Sequence, residues 1–438
     1  MKKTFLGIAL LFGTLTASAQ EPLSAYDMNK PFGWAMVDGT VTGGEGGQEI
    51  VATTADELFN ALDIRDPNDR SKRNAKVIVY VKGSIEVPQV KILHVQNKTI
   101  IGLPGARLYS KNTNKSNGGI MKFSEDCENI IIRNLIFEGP GSYDVDGGDA
   151  LAFQGSQRIW IDHCDIHDGL DGNLDCTNGS NYVTISWTRF SYQKEPMSGG
   201  SGGANDHRFS NLWGSSDKKA DVDTGKLNTT FANCWWDEGC IERCPRVRFG
   251  KVHIVNCYYS NTGNHYALGY GYKSNIYAEK CWFNDGVIVS KDYSDANHGY
   301  ADYNFQVVDC HNSQDIKKAV GNDPYYTPSD YYSYTPFDVD LVPTVVGNEK
   351  TGAGANLMVE VGKGVTGYAD GSVVPEPDPE PEPIVDGIRS IENSELRIEK
   401  QGSTPTGKAN CDYYNPAGQK VDSNYKGIVI KNGKVVIR

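Results

Sequence analysis

One short motif returns along much of this chain and limits what it can fold into: a run of β-branched or aromatic residues, then a polar residue, then cysteine. It reads Ile159-Trp160-Ile161-Asp162-His163-Cys164, Thr230-Phe231-Ala232-Asn233-Cys234, Val252-His253-Ile254-Val255-Asn256-Cys257, Ile276-Tyr277-Ala278-Glu279-Lys280-Cys281 and Val307-Val308-Asp309-Cys310. Ile130-Ile131-Ile132-Arg133-Asn134-Leu135 and Val183-Thr184-Ile185-Ser186-Trp187 carry the same pattern without the cysteine. Cysteine follows cysteine after about 23 to 29 residues, except for one double-length step from Cys164 to Cys234, where Trp187 fills the intermediate place. A repeat of this length that cannot bury its own apolar face predicts a coil of parallel β-structure in which each turn stacks on the last. Neighbouring parallel strands lie about 4.8 Å apart, so equivalent side chains form ladders: Asn134, Asn233 and Asn256 in one, five cysteines in the next.

Parallel neighbours point their Cβ atoms alike, which suits disulfide geometry poorly. The stacked cysteines are therefore expected to be buried free thiols acting as small hydrophobes. The pairing of Cys127, Cys176, Cys240, Cys244 and Cys411 stays open at this point. The 48 glycines require many turns, which agrees with an all-β body.

Residues 1–19 carry Lys2 and Lys3, an apolar run over 5–12 and the small-residue site Ala17-Ser18-Ala19, the pattern of a secretory leader cleaved near Gln20. No stretch reaches the roughly 20 apolar residues of a membrane span, so the expectation is a secreted monomer at the cell surface, in the periplasm or in the medium. Residues 20–372 form the β body. At its start Thr54, followed by Ala55, Leu58, Phe59 and Leu62 at helical spacing, predicts a short helix that caps the open first rung. Residues 373–386 alternate proline with acidic residues and read as a stiff spacer. Residues 387–438 read as a small β tail whose Asn432-Gly433 marks a hairpin. The formal charge is -12 although leader and tail are basic, so the body is strongly acidic and excludes nucleic acid as a partner.

Asp149, Asp171 and Asp175 fall near the ends of consecutive rungs, where stacking could bring them together. Gathered carboxylates repel, and a hard cation with oxygen ligands such as Ca²⁺ relieves that; solvated turn aspartates are the ordinary alternative. Asp144-Val145-Asp146-Gly147-Gly148-Asp149 lacks the closing glutamate and flanking helices of an EF-hand, leaving Asp146 at most an extra ligand. Arg243, Arg246 and Arg248 crowd six residues of an acidic body, with Lys251 close behind. Such a patch either recognises substrate carboxylates bidentately or pairs with surface acids. Gly43-Gly44-Glu45-Gly46-Gly47 lacks the lysine and helix of a phosphate loop, and His163 holds a ladder position that calls for a structural hydrogen bond. No Gly-x-Ser-x-Gly, HExxH or CxxC occurs, which leaves serine hydrolase, zincin and thiol-redox readings unsupported.

Over most of residues 34–310 the sequence resembles the pectate lyase family, extracellular pectate and pectin lyases that fold as right-handed parallel β-helices. The resemblance rests on Val41-Thr42-Gly43-Gly44 with Gly46-Gly47, Trp160-Ile161-Asp162-His163, Asp171-Gly172 to Asp175 followed by Val183-Thr184-Ile185-Ser186, Gly214-Ser215-Ser216-Asp217, and Arg243-x-Pro245-Arg246-Val247-Arg248-x-Gly250-x-Val252-His253. It implies β-elimination on α-1,4-linked polygalacturonate. In its terms Asp149, Asp171 and Asp175 hold Ca²⁺, Arg243 removes the C5 proton, and Lys194 and Arg248 hold substrate carboxylate. Arg246 receives no role. Lys194 falls one residue short of the family spacing, and a glycine-rich insertion at 198–205 follows it.

Free guanidinium stays protonated to about pH 12.5, so an arginine base predicts an alkaline optimum. The rivals are a metal-independent pectin lyase, which the aspartates and basic residues disfavour, a glycan-binding β-helix without turnover, and a hydrolase, which needs a close carboxylate pair for acid and base. The tail, with Tyr413-Tyr414-Asn415 and Gly418-Gln419-Lys420-Val421, resembles the C-terminal sorting domains of secreted Bacteroidota-type proteins, and this implies a partner in the outer-membrane secretion machinery. A small carbohydrate-binding module is the alternative for this tail.

Overall fold

A computed structural model describes residues 29–143, 146–199 and 206–372, together with short strands between 413 and 437. The leader at 1–19 and the spacer at 373–386 lie outside the described residues. Two compact units divide at residue 380. Among the described residues no helix is long and apolar enough to cross a membrane.

The first unit is a right-handed parallel β-helix built from three sheets. One turn runs Leu151–Gln154, Gln157–Asp162, Asp165–His167, and the next repeats it as Leu174–Thr177, Asn181–Ser186, Arg189–Ser191. Each strand pairs in parallel with its equivalent a turn away, Ile159 lying between Ile130 and Val183. The longest sheet ends in Ile316–Val320, which pairs antiparallel with Tyr303–Val308 and forms the edge strand at that end. At the other end the helix Ala55–Leu62 packs on the first strands. Thr54 caps it by accepting from Glu57 N at 3.2 Å, and Leu58, Phe59 and Leu62 are buried beneath it.

The polar ladder has a backbone cause. Asn134, His163, Trp187, Asn233, Asn256, Lys280 and Asp309 all take φ between 46° and 55°, the left-handed bend that turns the chain from one sheet to the next. Among residues with a side chain asparagine tolerates that region best, which explains its recurrence there. Its amide also does packing work: Asn134 and Asn256 each donate to and accept from the backbone of a later segment, at Leu357 and Phe337. Inside the coil Phe190, Trp236, Tyr259 and Phe283 stack at 4.6–5.4 Å. All nine described cysteines are free, and Cys164, Cys234, Cys257 and Cys281 are wholly buried. Cys411 lies outside the described residues.

Other expectations resolve similarly. The glycine run at 43–47 is a set of tight turns, and a Cβ on Gly44 would meet the Val77 carbonyl at 2.0 Å. His163 is buried, bonded to Asp162 at 2.9 Å and stacked on Trp187. Asp146 lies 3.9 Å from Lys115. In the second unit Ile428–Lys431 and Lys434–Ile437 pair antiparallel on either side of Asn432-Gly433.

Candidate active site

Side chains alternate sides along the sheet that contains Leu151–Gln154 and Leu174–Thr177. Phe153, Cys176, Trp213 and Val247 point into the coil, while register aligns Lys122, Ala152, Asp175, Leu212, Arg246, Gly269 and Lys291 along the outer face. One face of the helix thus carries an acid near its middle and cations towards both ends.

Two of the three aspartates, Asp149 and Asp175, face each other at the edge of this face, and Asp171 is near enough for its charge to act on both. Gly172 separates two of them: a Cβ there would sit 2.8 Å from Asp149 Oδ1 and 3.1 Å from Asp175 Oδ1. Asp149 Oδ1 accepts from Gly172 N at 3.0 Å, and Asp175 Oδ1 from Leu212 N at 2.9 Å. Loss of water and the charges of Asp175 and Asp171 hold Asp149 well above the usual carboxylate range. Burial and Asp171 push Asp175 up to about 7, with Arg243 pulling back. Asp171 is turned elsewhere, its Oδ1 2.7 Å from His207 Nε2. Among the described residues no group of three or more His, Cys, Asp or Glu stands ready to hold a metal ion.

Arg243 approaches the trio from the rungs that follow. Its backbone takes φ 58°, its carbonyl accepts from Asn211 N at 2.7 Å, and its guanidinium lies 4.9 Å above the Phe209 ring. Among the described residues its buried Nε has no protein partner, which leaves donors for a ligand. Arg248 is more committed: Nε donates to Asp217 at 2.9 Å and Nη1 to the Gly214 carbonyl at 2.9 Å, leaving Nη2 without a described acceptor. Lys194 is not brought to this cluster. Its ammonium sits on Glu138 Oε1 at 2.9 Å and the Gly139 carbonyl at 2.6 Å, and no hydrogen bond or ion pair joins it to the aspartates or Arg243.

Arg246, without a role in the sequence, stands on the outer ladder with its guanidinium 3.8 Å from the Tyr293 ring centre. Lys291, two rungs on, lies 5.0 Å from the same ring. Neither has a carboxylate within ion-pair distance among the described residues. Burial, then the charge of Arg248, lowers Arg246 to about 10. His207, Phe209 and Tyr293 were not legible. His207 and Phe209 follow the glycine-rich insertion, where no repeat fixes their rung, although Gly214-Ser215-Ser216-Asp217 just beyond them is the signal from which to count back.

Comparison with known proteins gives a consistent picture. A family model described as Pectate lyase matches residues 6–356. A pectate trisaccharide-lyase of Thermotoga sp. (strain RQ2) is 29% identical over 387 residues, 80% of this chain and 93% of that one. Pectate lyase A of Aspergillus niger is 34% identical over 261 residues, 57% of this chain and 70% of the relative. Among solved structures, a Bacillus sp. N165 pectate lyase in complex with trigalacturonate superposes with a TM-score of 0.52 at 19% identity, over 74% of this chain and 99% of that one, a likeness of fold.

Proposed function

Because the chain belongs to the pectate lyase family, we propose that it is a calcium-dependent lyase that cleaves α-1,4-polygalacturonate by β-elimination and releases unsaturated oligogalacturonates. The observation that carries the proposal is the approach of Asp149 and Asp175 across Gly172, with the charges of Asp171 and Arg243 acting on the pair.

The donor set fits calcium. It is all oxygen, and mutual repulsion around the cradle above Gly172 is what a hard divalent cation relieves. When bound, calcium supplies positive charge beside a substrate carboxylate and lowers the cost of enolate-like charge at C5. The residues of the chain do the rest. Arg243 takes the proton from C5. The electron pair left on C5 forms the C4–C5 double bond, the C4–O bond breaks, and the leaving oxygen takes a proton from solvent water. Arg248 Nη2 holds a substrate carboxylate, and Arg246 and Lys291 hold uronates further along the face. Lys194 contributes a carboxylate contact only if it leaves Glu138.

Elimination adds no water across the broken bond, whereas hydrolysis does. Mass spectrometry of digested polygalacturonate is expected to show new ends lighter by one water than hydrolytic ends; hydrated ends would refute the reaction class. Residues 1–19 as leader and 387–438 as sorting signal belong to the same proposal, with residues 20–372 as the lyase domain. The mature exported protein should lack both ends, and a mature mass that retains the tail favours a binding module instead.

A further inference from the structure

We propose that His207 is the positioning residue that joins the acidic and basic halves of this site. The inference rests on the calcium reading above. Its imidazole is 1% exposed, and Nε2 donates to Asp171 Oδ1 at 2.7 Å, leaving the other carboxylate oxygen for a cation. The face of the same ring packs against Phe209, centroid to centroid 4.1 Å at 45°. Phe209 in turn carries the Arg243 guanidinium 4.9 Å above it. One aromatic pair thus touches a proposed calcium ligand at one end and the proposed base at the other.

The backbone holds this pair in register. Phe209 bridges in parallel to Gly172 on one rung and to Glu242 on the next, each adjacent in sequence to one of the two groups it serves. The buried Tyr192 hydroxyl lies 3.0 Å from the Phe209 carbonyl and 3.4 Å from that of Asp171, stitching the two rungs together. Asp149 and Asp175 repel Asp171, so its carboxylate needs a fixed donor to stay at the site when no cation is present. A histidine N–H supplies that donor with a rigid direction. Hydrogen-bond partners of this kind, one step behind the metal ligands, typically govern affinity by about 10- to 100-fold.

The test is calorimetric titration of calcium into His207→Ala, His207→Gln and Phe209→Leu, beside kcat and KM at saturating calcium and a metal-free melting curve. His207→Ala should bind calcium about 10- to 100-fold more weakly, while His207→Gln, which keeps an N–H donor, recovers most of the affinity. If alanine prevents folding, His207→Asn, too short to reach Asp171, should show the same loss. Phe209→Leu should keep calcium affinity and KM and lose kcat. Wild-type calcium affinity in His207→Ala or His207→Asn, or equal losses in calcium binding and kcat for Phe209→Leu, would overturn the proposal. A wild-type protein that binds no calcium would overturn the calcium reading and this inference together.

Discussion

At the residue scale the account hangs on a division of labour among neighbouring arginines. Arg243→Lys keeps a positive charge but not the guanidine, and kcat should fall by about 10²- to 10⁴-fold, the usual contribution of a positioned base. Calcium affinity measured on the same variant should be unchanged; full activity would remove Arg243 from the role. Arg246→Ala and Lys291→Ala should instead raise KM for polygalacturonate by about tenfold each, since one charge-assisted hydrogen bond is worth about 1.5–3 kcal/mol. Equal KM for wild type and both variants would take the substrate off this part of the face. The rungs on which Asp149, Asp171 and Asp175 fall were legible because the repeat strands at Ile159 and Val183 follow them. Lys194 shows the limit of counting: spacing along the chain cannot see Glu138 on a stacked rung, which takes up its ammonium.

At the scale of the element, the unit is the bend between sheets rather than the strand. The sequence presents Asn134, Asn233 and Asn256 as a ladder of side chains, and the structure shows a ladder of left-handed backbone that His163 and Trp187 enter as well. That reason is invisible in a pattern of polar residues. Asn256→Ala should destabilise the fold by about 1–3 kcal/mol, since it strands the buried Phe337 N–H. Asn256→Gly, free to adopt the bend, should lose about 1 kcal/mol less. Denaturant melts of the two variants compare them directly, and alanine equal to glycine would mean that the bend imposes no strain. Free thiols in the neighbouring ladder follow from the same stacking, as parallel geometry required.

At the scale of the molecule, fold and site are coupled through charge. Without a cation, folded Asp175 keeps its proton up to about pH 7, whereas in the unfolded chain it ionises near 3.8. The folded state therefore binds more protons across that window, and rising pH costs stability there. Calcium, which needs the ionised carboxylates, should reverse this, so the gain in Tm on adding calcium should grow from about pH 5 to about pH 8. A gain independent of pH would deny that these carboxylates hold the ion. The coil itself could be read from the spacing of its cysteines, and the acidic and basic sides of the site from their rungs. The link through His207 needed three dimensions, because an insertion without repeat separates it from Asp171 and hides which rung it joins. The central claim is tested most directly by following the ultraviolet absorbance of the unsaturated product as the protein acts on polygalacturonate with calcium and then with chelator. A rise that calcium supports and chelator abolishes is predicted; no rise, or a rise indifferent to chelator, would contradict it.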